Sequence, residues 1–133
     1  MNVVLDTNVV VSAFLSPAGK PAAILGLVLQ GKLSICVNTA ILSEYEQVLS
    51  RQRFIERMHH TDIRRFMDII YTIGIKVNAV PSAIELPDES DRTFYDCAKA
   101  AKANLVTGNK RHYPDEPFIQ DPAEFLSRTY PNI

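Results

Sequence analysis

Cysteine is scarce in this chain, which has only Cys36 and Cys97, both in apolar stretches. Two such residues exclude a disulfide-stapled scaffold and fit buried free thiols in a reducing compartment. Neither has a neighbour at metal-ligand spacing, which argues against a cysteine metal site. An excess of positive charge is also missing, since the formal net charge is −1. A passive binder of long nucleic acid needs many Lys and Arg contacts, so the balance argues against that class. It leaves room for an enzyme that grips a short stretch of RNA. No apolar run is long enough to span a membrane, and the opening residues lack the basic flank of a signal peptide. A cytoplasmic protein with no membrane association is the expectation. No Gly-rich phosphate loop follows the first apolar run, which argues against a nucleotide-binding module. Repeats, long linkers and low-complexity tails are absent as well.

What is present is a chain of 133 residues, 47% of them hydrophobic. That suits one domain spanning residues 1–133 with a core of its own. Val3 to Leu5 read as a short strand, apolar on both faces as in a buried parallel sheet. Val9 to Leu15 read as a helix, broken by Ser16-Pro17-Ala18-Gly19. Pro21 starts the next helix and Gly31 ends it. Leu33 to Val37 form strand two, and Thr39 is placed to cap a helix with Ile41, Tyr45, Val48 and Leu49 inward. A short helix is expected within Arg51 to His60. Ile63, Phe66, Met67, Ile70 and Ile73 then recur at helical spacing until Gly74. Ile75 to Val77 form strand three. A loop between Pro81 and Pro87 leads to Ser90, an expected N-cap, and a helix to about Lys102. Leu105 to Thr107 make strand four, Phe118 and Ile119 strand five, and Ala123 to Ser127 a last helix. Alternating strands and helices predict an α/β fold with a mostly parallel sheet.

In such sheets sites form beyond the C-terminal strand ends. Four segments place polar residues there: Asp6-Thr7-Asn8, the helix after Val37, Asp88 to Asp91, and Thr107-Gly108-Asn109. Glu44 follows Ile41 by three residues and precedes Val48 by four, so it lies along the edge of the packed face. Asp91 has a similar relation to Phe94 and Ala98. Charged groups held toward the protein body are costly alone. A shared hard cation such as Mg2+ or Mn2+ removes that cost, and such a cluster can activate water beside a phosphate. Simpler roles stand beside these. Asp6 could cap a turn, Glu44 could pair with Lys or Arg, and the helix dipole alone favours Asp91. Asp88 reads first as a turn residue, and Asp96 as a solvent pair with Lys99. Arg51, Arg53, Arg57, His59, His60, Arg64 and Arg65 read as a basic solvated face or a nucleic-acid grip.

The ordered motifs resemble the PIN domain family, in the branch of VapC-like toxins of toxin-antitoxin systems. Val3-Val4-Leu5-Asp6-Thr7-Asn8-Val9-Val10-Val11-Ser12-Ala13 resembles its opening strand and first acid. Thr39 to Leu49 resembles the segment with its second acid, at Glu44. Asp91-Arg92-Thr93-Phe94-Tyr95-Asp96-Cys97-Ala98 resembles that of its third acid, at Asp91. Lys102 to Asn109 resembles its last strand and turn, with Asn109 where many members carry a fourth acid. The likeness runs from Asn2 to about Leu126. It implies a three-layer α/β/α sandwich with about five strands. It also implies a Mg2+- or Mn2+-dependent endoribonuclease that cuts single-stranded RNA to leave a 5′-phosphate and a 3′-hydroxyl. Asp6, Glu44 and Asp91 would hold the metal, and Asp88 or Asp115 could compensate for Asn109. Thr7 and Thr107 would orient ligands, and Asn109 would donate to water or phosphate. His59 and His60 would lie on the surface, with His112 near substrate beside Lys110 and Arg111. A small antitoxin and a homodimer are implied, with Phe14, Ile24, Leu27 and Val28 serving core and dimer surface together. The alternative is a noncatalytic PIN-like domain for RNA or protein binding. A phosphatase with Asp6 as nucleophile fits poorly, because position 8 is Asn rather than Asp.

Overall fold

A computed structural model describes residues 1–51 and 58–131. Five strands form one sheet: β1 (Asn2–Leu5), β2 (Ser34–Val37), β3 (Ile75–Lys76), β4 (Asn104–Val106) and β5 (Ile119–Gln120). Their order is β3-β2-β1-β4-β5, and every pair is parallel. Six described helices complete a three-layer α/β/α sandwich: α1 (Thr7–Leu15), α2 (Lys20–Leu29), α3 (Thr39–Leu49), α4 (His60–Ile73), α5 (Arg92–Ala101) and α6 (Pro122–Thr129). The α/β class and the parallel sheet agree with the pattern of the sequence. The short helix expected within Arg51 to His60 falls largely outside the described residues. Among the described residues no single helix is long and apolar enough to cross a membrane.

Val3, Val4 and Leu5 are completely buried at the centre of the sheet, as a run apolar on both faces requires. Ile35, Cys36 and Val37 fill the same core from β2, and Leu105 and Val106 from β4. Both cysteines are buried free thiols. Ile24, Leu27 and Val28 are buried within the single chain, and Phe14 packs edge-on against Phe66 at 5.3 Å between ring centres. The sheet reverses its winding between β1 and β4. Chain order runs outward through β2 and β3, then returns to the other side of β1. This switch point brings residue 6 beside residue 107, with the Asp6 amide donating to the Val106 carbonyl at 3.0 Å.

Local departures have local causes. The cap of α3 is Asn38, not Thr39, because residue 38 has the extended backbone of a cap (φ −143°, ψ 178°) and its side chain accepts from the Ile41 amide. Asp88, not Ser90, caps the 3-10 turn Glu89–Asp91, taking both the amide and the hydroxyl of Ser90. Val48 is only half-buried, while Leu42 is buried in its stead. Ile73 at the end of α4 is 45% exposed and does not join the core. Gly74 then turns the chain where α4 meets β2. A methyl there would lie 2.7 Å from the Ile70 carbonyl and 2.8 Å from Val37 Cγ2, so backbone and core side chain would both have to yield. Gly74→Ala is expected to cost about 1–3 kcal/mol of stability, read from the midpoint of urea unfolding. An unchanged midpoint would show that the α4–β2 junction relaxes freely.

Candidate functional site

Asp6 leaves the C-terminal end of β1 and forms the N-cap position of α1, with its side chain only 5% exposed. Two hydroxyls converge on its Oδ2: Thr107 Oγ1 donates at 2.8 Å and the Tyr113 phenol at 2.9 Å. The Asn109 amide donates to Thr107 Oγ1 at 3.0 Å, so Asn109 enters this network through its backbone. Burial raises the carboxyl of Asp6 above its ordinary range, against the lowering pull of the Thr107 and Tyr113 hydrogen bonds.

Glu44 reaches the same end of the sheet from α3. Its Oε2 accepts the hydroxyl of Thr7, the first residue of α1. The adjacent Tyr45, fully buried, donates to the Leu5 carbonyl at 2.5 Å. That bond ties α3 to the strand end that carries Asp6, and so sets where Glu44 can point.

Asp91 opens α5 and is buried. Its Oδ2 has no hydrogen-bond partner, with His112 Nδ1 3.5 Å away. Burial, then the charges of Asp6 and Asp88, push its carboxyl up to about 6, a direction that Glu44 reinforces and His112 opposes. Helix N-termini normally favour anions. At Asp6 and Asp91 desolvation outweighs that effect, and at Asp91 carboxylate repulsion adds to it. Among the described residues, no three His, Cys, Asp or Glu side chains stand at ligand-sharing distance. The three acids therefore face one another at Coulombic range rather than as a closed cluster. The chemistry of the set still suits a hard divalent cation. It consists of carboxylate oxygens, one of them buried and unpartnered, under mutual repulsion that a cation would relieve.

Asp88 is exposed and commits Oδ1 to Ser90, and those hydrogen bonds lower its carboxyl. Asp115 is exposed, as are His59 and His60. Asp96 is not the solvent partner of Lys99. It is buried and accepts the Ser82 amide at 3.1 Å, while Lys99 pairs with Glu116.

The sequence pattern assigns no role to three participants. Tyr113 is one. Asn8 is another, since its Oδ1 accepts the Gly108 amide at 2.9 Å and links the ends of β1 and β4. Arg92 is the third, with its guanidinium donating to the Ser82 and Ile84 carbonyls at 2.7 Å each and to Glu89 at 2.6 Å. It clamps the loop before α5 beside Asp91.

Acids gathered at the switch point of a parallel sheet place this chain among α/β domains with a carboxylate-lined site at the C-terminal strand ends. The sequence matches the PIN domain family over residues 2–111. The chain belongs to that family, whose members are generally nucleases that use divalent metal ions. An uncharacterized protein of Methanocaldococcus jannaschii is 29% identical over 111 residues, which cover 83% of this chain and 72% of that protein. Among solved structures, VapBC2 from Rickettsia felis, bound to a DNA fragment from its promoter, has a chain that superposes with a TM-score of 0.59. The match covers 91% of this chain and 98% of that one at 19% identity, a likeness of fold.

Proposed function

We propose that this protein is a metal-dependent endoribonuclease acting on single-stranded RNA, and the toxin of a toxin-antitoxin pair. The observation that carries the reading is the unpartnered, buried Oδ2 of Asp91 in the repulsive field of Asp6 and Glu44. Asp6, Glu44 and Asp91 would hold Mg2+ or Mn2+, with Asp88 a further acid whose charge reaches Asp91. When bound, such an ion supplies activation of a water nucleophile and offsets charge building on the phosphate. The chain's own residues do the rest. Thr107 and Tyr113 hold the plane of Asp6, Thr7 holds Glu44, and the Asn109 amide orients the Thr107 hydroxyl. The 3-10 turn Lys110–His112 lies beside this end of the sheet, and its exposed Arg111 offers a cation to a phosphate backbone, while Lys110 pairs with Glu124. Single-stranded RNA suits such a site because it bends readily and leaves its bases open to contact.

A small antitoxin partner belongs to the same reading, supported by the VapBC2 assembly of the structural neighbour, and a homodimer is proposed with it. A cytoplasmic location is part of that reading too. The test is to incubate purified, antitoxin-free protein with a pool of single-stranded RNAs, with and without Mn2+ or Mg2+, beside Asp6→Asn. Metal-dependent cuts that disappear in the variant are expected, with ends mapped by sequencing. Cuts that persist without metal would remove the cation from the chemistry, and cuts that persist in the variant would remove Asp6. Metal binding without any cut would turn the reading toward a noncatalytic RNA- or protein-binding domain.

A further inference from the structure

Tyr113 is a buried ionisable group that the proposed chemistry does not require as acid, base or ligand. It nevertheless sits 107 residues from Asp6 in sequence and donates to it at 2.9 Å. The chain is folded to make this contact. The Tyr113 amide closes the turn on the Lys110 carbonyl at 3.0 Å, which returns the side chain over the end of β4. Its ring is 7% exposed and joins the core cluster.

The contact is specific to one oxygen. Tyr113 and Thr107 both donate to Oδ2 rather than to Oδ1. The Asn109 amide occupies a lone pair of the Thr107 hydroxyl, which leaves that hydroxyl's own hydrogen directed at Asp6. Two neutral donors on one carboxylate oxygen fix the plane of the group and present the other oxygen. Hydrogen-bond partners of this kind orient metal ligands and govern their affinity. We propose that Tyr113 is a positioning residue for the cation site, locking Asp6 through Oδ2 so that Oδ1 is presented to a divalent ion. The segment after β4 thereby reaches back to an acid at the end of β1, Tyr113 directly and the Asn109 amide through the Thr107 hydroxyl. Burial and the charge of Asp6 keep the phenol protonated, so it remains a donor across the neutral range.

The inference rests on Asp6 as a cation ligand, and the experiment separates the two. Mn2+ affinity of the full chain is measured by electron paramagnetic resonance of the free ion, for wild type, Tyr113→Phe, Thr107→Val and Tyr95→Phe. Tyr95 is the matched control, a buried tyrosine whose hydroxyl donates to a carboxylate, Glu116, at 2.5 Å. Tyr113→Phe keeps the ring and is expected to weaken Mn2+ binding about 10-fold or more. Thr107→Val is expected to act in the same direction, and it carries the test if the first variant fails to fold. Tyr95→Phe is expected to leave the affinity at the wild-type value. Wild-type affinity in folded Tyr113→Phe would overturn the positioning role, as would an equal loss in Tyr95→Phe; where Tyr113→Phe does not fold, wild-type affinity in Thr107→Val would overturn it. No Mn2+ binding by the wild type would overturn the ligand role of Asp6 itself.

Discussion

Asp91→Asn should stabilise the metal-free protein while removing metal-dependent cleavage. Its carboxylate is buried, its Oδ2 lacks a partner, and Asp6, Asp88 and Glu44 all repel its charge. With the group pushed up to about 6, it is ionised at pH 7.5, where the folded state bears that repulsion in full. Asparagine has the same shape without the charge. Relief of about 1 kcal/mol would raise Tm by several degrees in a domain of this size. The same substitution withdraws a negative ligand where a divalent ion needs one. Cleavage of single-stranded RNA should fall at least about 10²-fold, the scale seen when one electrostatic group is removed from an active site. Scanning fluorimetry in EDTA at pH 7.5 and a cleavage assay in Mn2+ check the two halves separately. A lower Tm would mean that Asp91 is a structural anion, and full activity would place the metal elsewhere.

This opposition between stability and function explains why the acids were legible in sequence at all. Asp6 follows an apolar run that can only be a central strand, and Glu44 and Asp91 sit at helical spacing from buried residues. Each therefore reads as a charge placed where charge is costly. The same local logic failed for Asp96. Helical spacing offered Lys99 three residues on, but the Ser82 amide, 14 residues upstream, won the carboxylate. Helical periodicity describes one helix and carries no information about a loop folded back over it. The α3 cap was ambiguous for a different reason. Asn38 and Thr39 are both good capping types, and only the backbone angles of residue 38 decide between them.

The position of the site within the sheet was out of reach of pattern reasoning. The order β3-β2-β1-β4-β5 is a nonlocal property, and no run of residues states that β4 returns beside β1. Yet that return is what gives Asp6 its donors. Thr107 is 101 residues away and Tyr113 is 107. Tyr113 lies in a segment noted for its basic residues, and nothing about an aromatic there distinguishes a core ring from a carboxylate's partner. Asn8 likewise belongs to a motif noted for its aspartate, while its bond to the Gly108 amide requires both strand ends. The residue types of the site were readable, as was an orienting role for Thr7 and Thr107, and the bonds from Tyr113 and to Asn8 were not.

The same charges predict an unusual pH profile for the metal-free protein. A carboxylate near its ordinary value of 3.8 when unfolded, but raised to about 6 when folded, holds its proton longer in the native state. Between those values the folded chain binds more protons than the unfolded one, so stability falls as pH rises through the window and levels off above it. Asp6 is shifted in the same direction, which deepens the fall. Groups shifted the other way act lower on the scale. Glu124, pulled down to about 2 by the capping hydrogen bond from the Asp121 amide and by Lys110, contributes stability that is lost as pH drops below about 4.5. That group lies at the surface within reach of solvent, so its effect is screened and small. In EDTA, Tm should therefore be highest near about pH 5 and decline toward pH 7, the reverse of the usual gain on leaving acid. A divalent ion competes with protons for the same oxygens and binds their ionised forms. Saturating Mn2+ should leave Tm little changed at pH 5 and raise it at pH 7, flattening or inverting the decline. Melts at half-unit steps from pH 4.5 to 8, with and without Mn2+, separate the outcomes. A metal-free Tm that climbs from pH 5 to pH 7 would contradict the repulsion between Asp6 and Asp91. A decline that Mn2+ fails to reverse would keep the repulsion and remove the cation from its remedy.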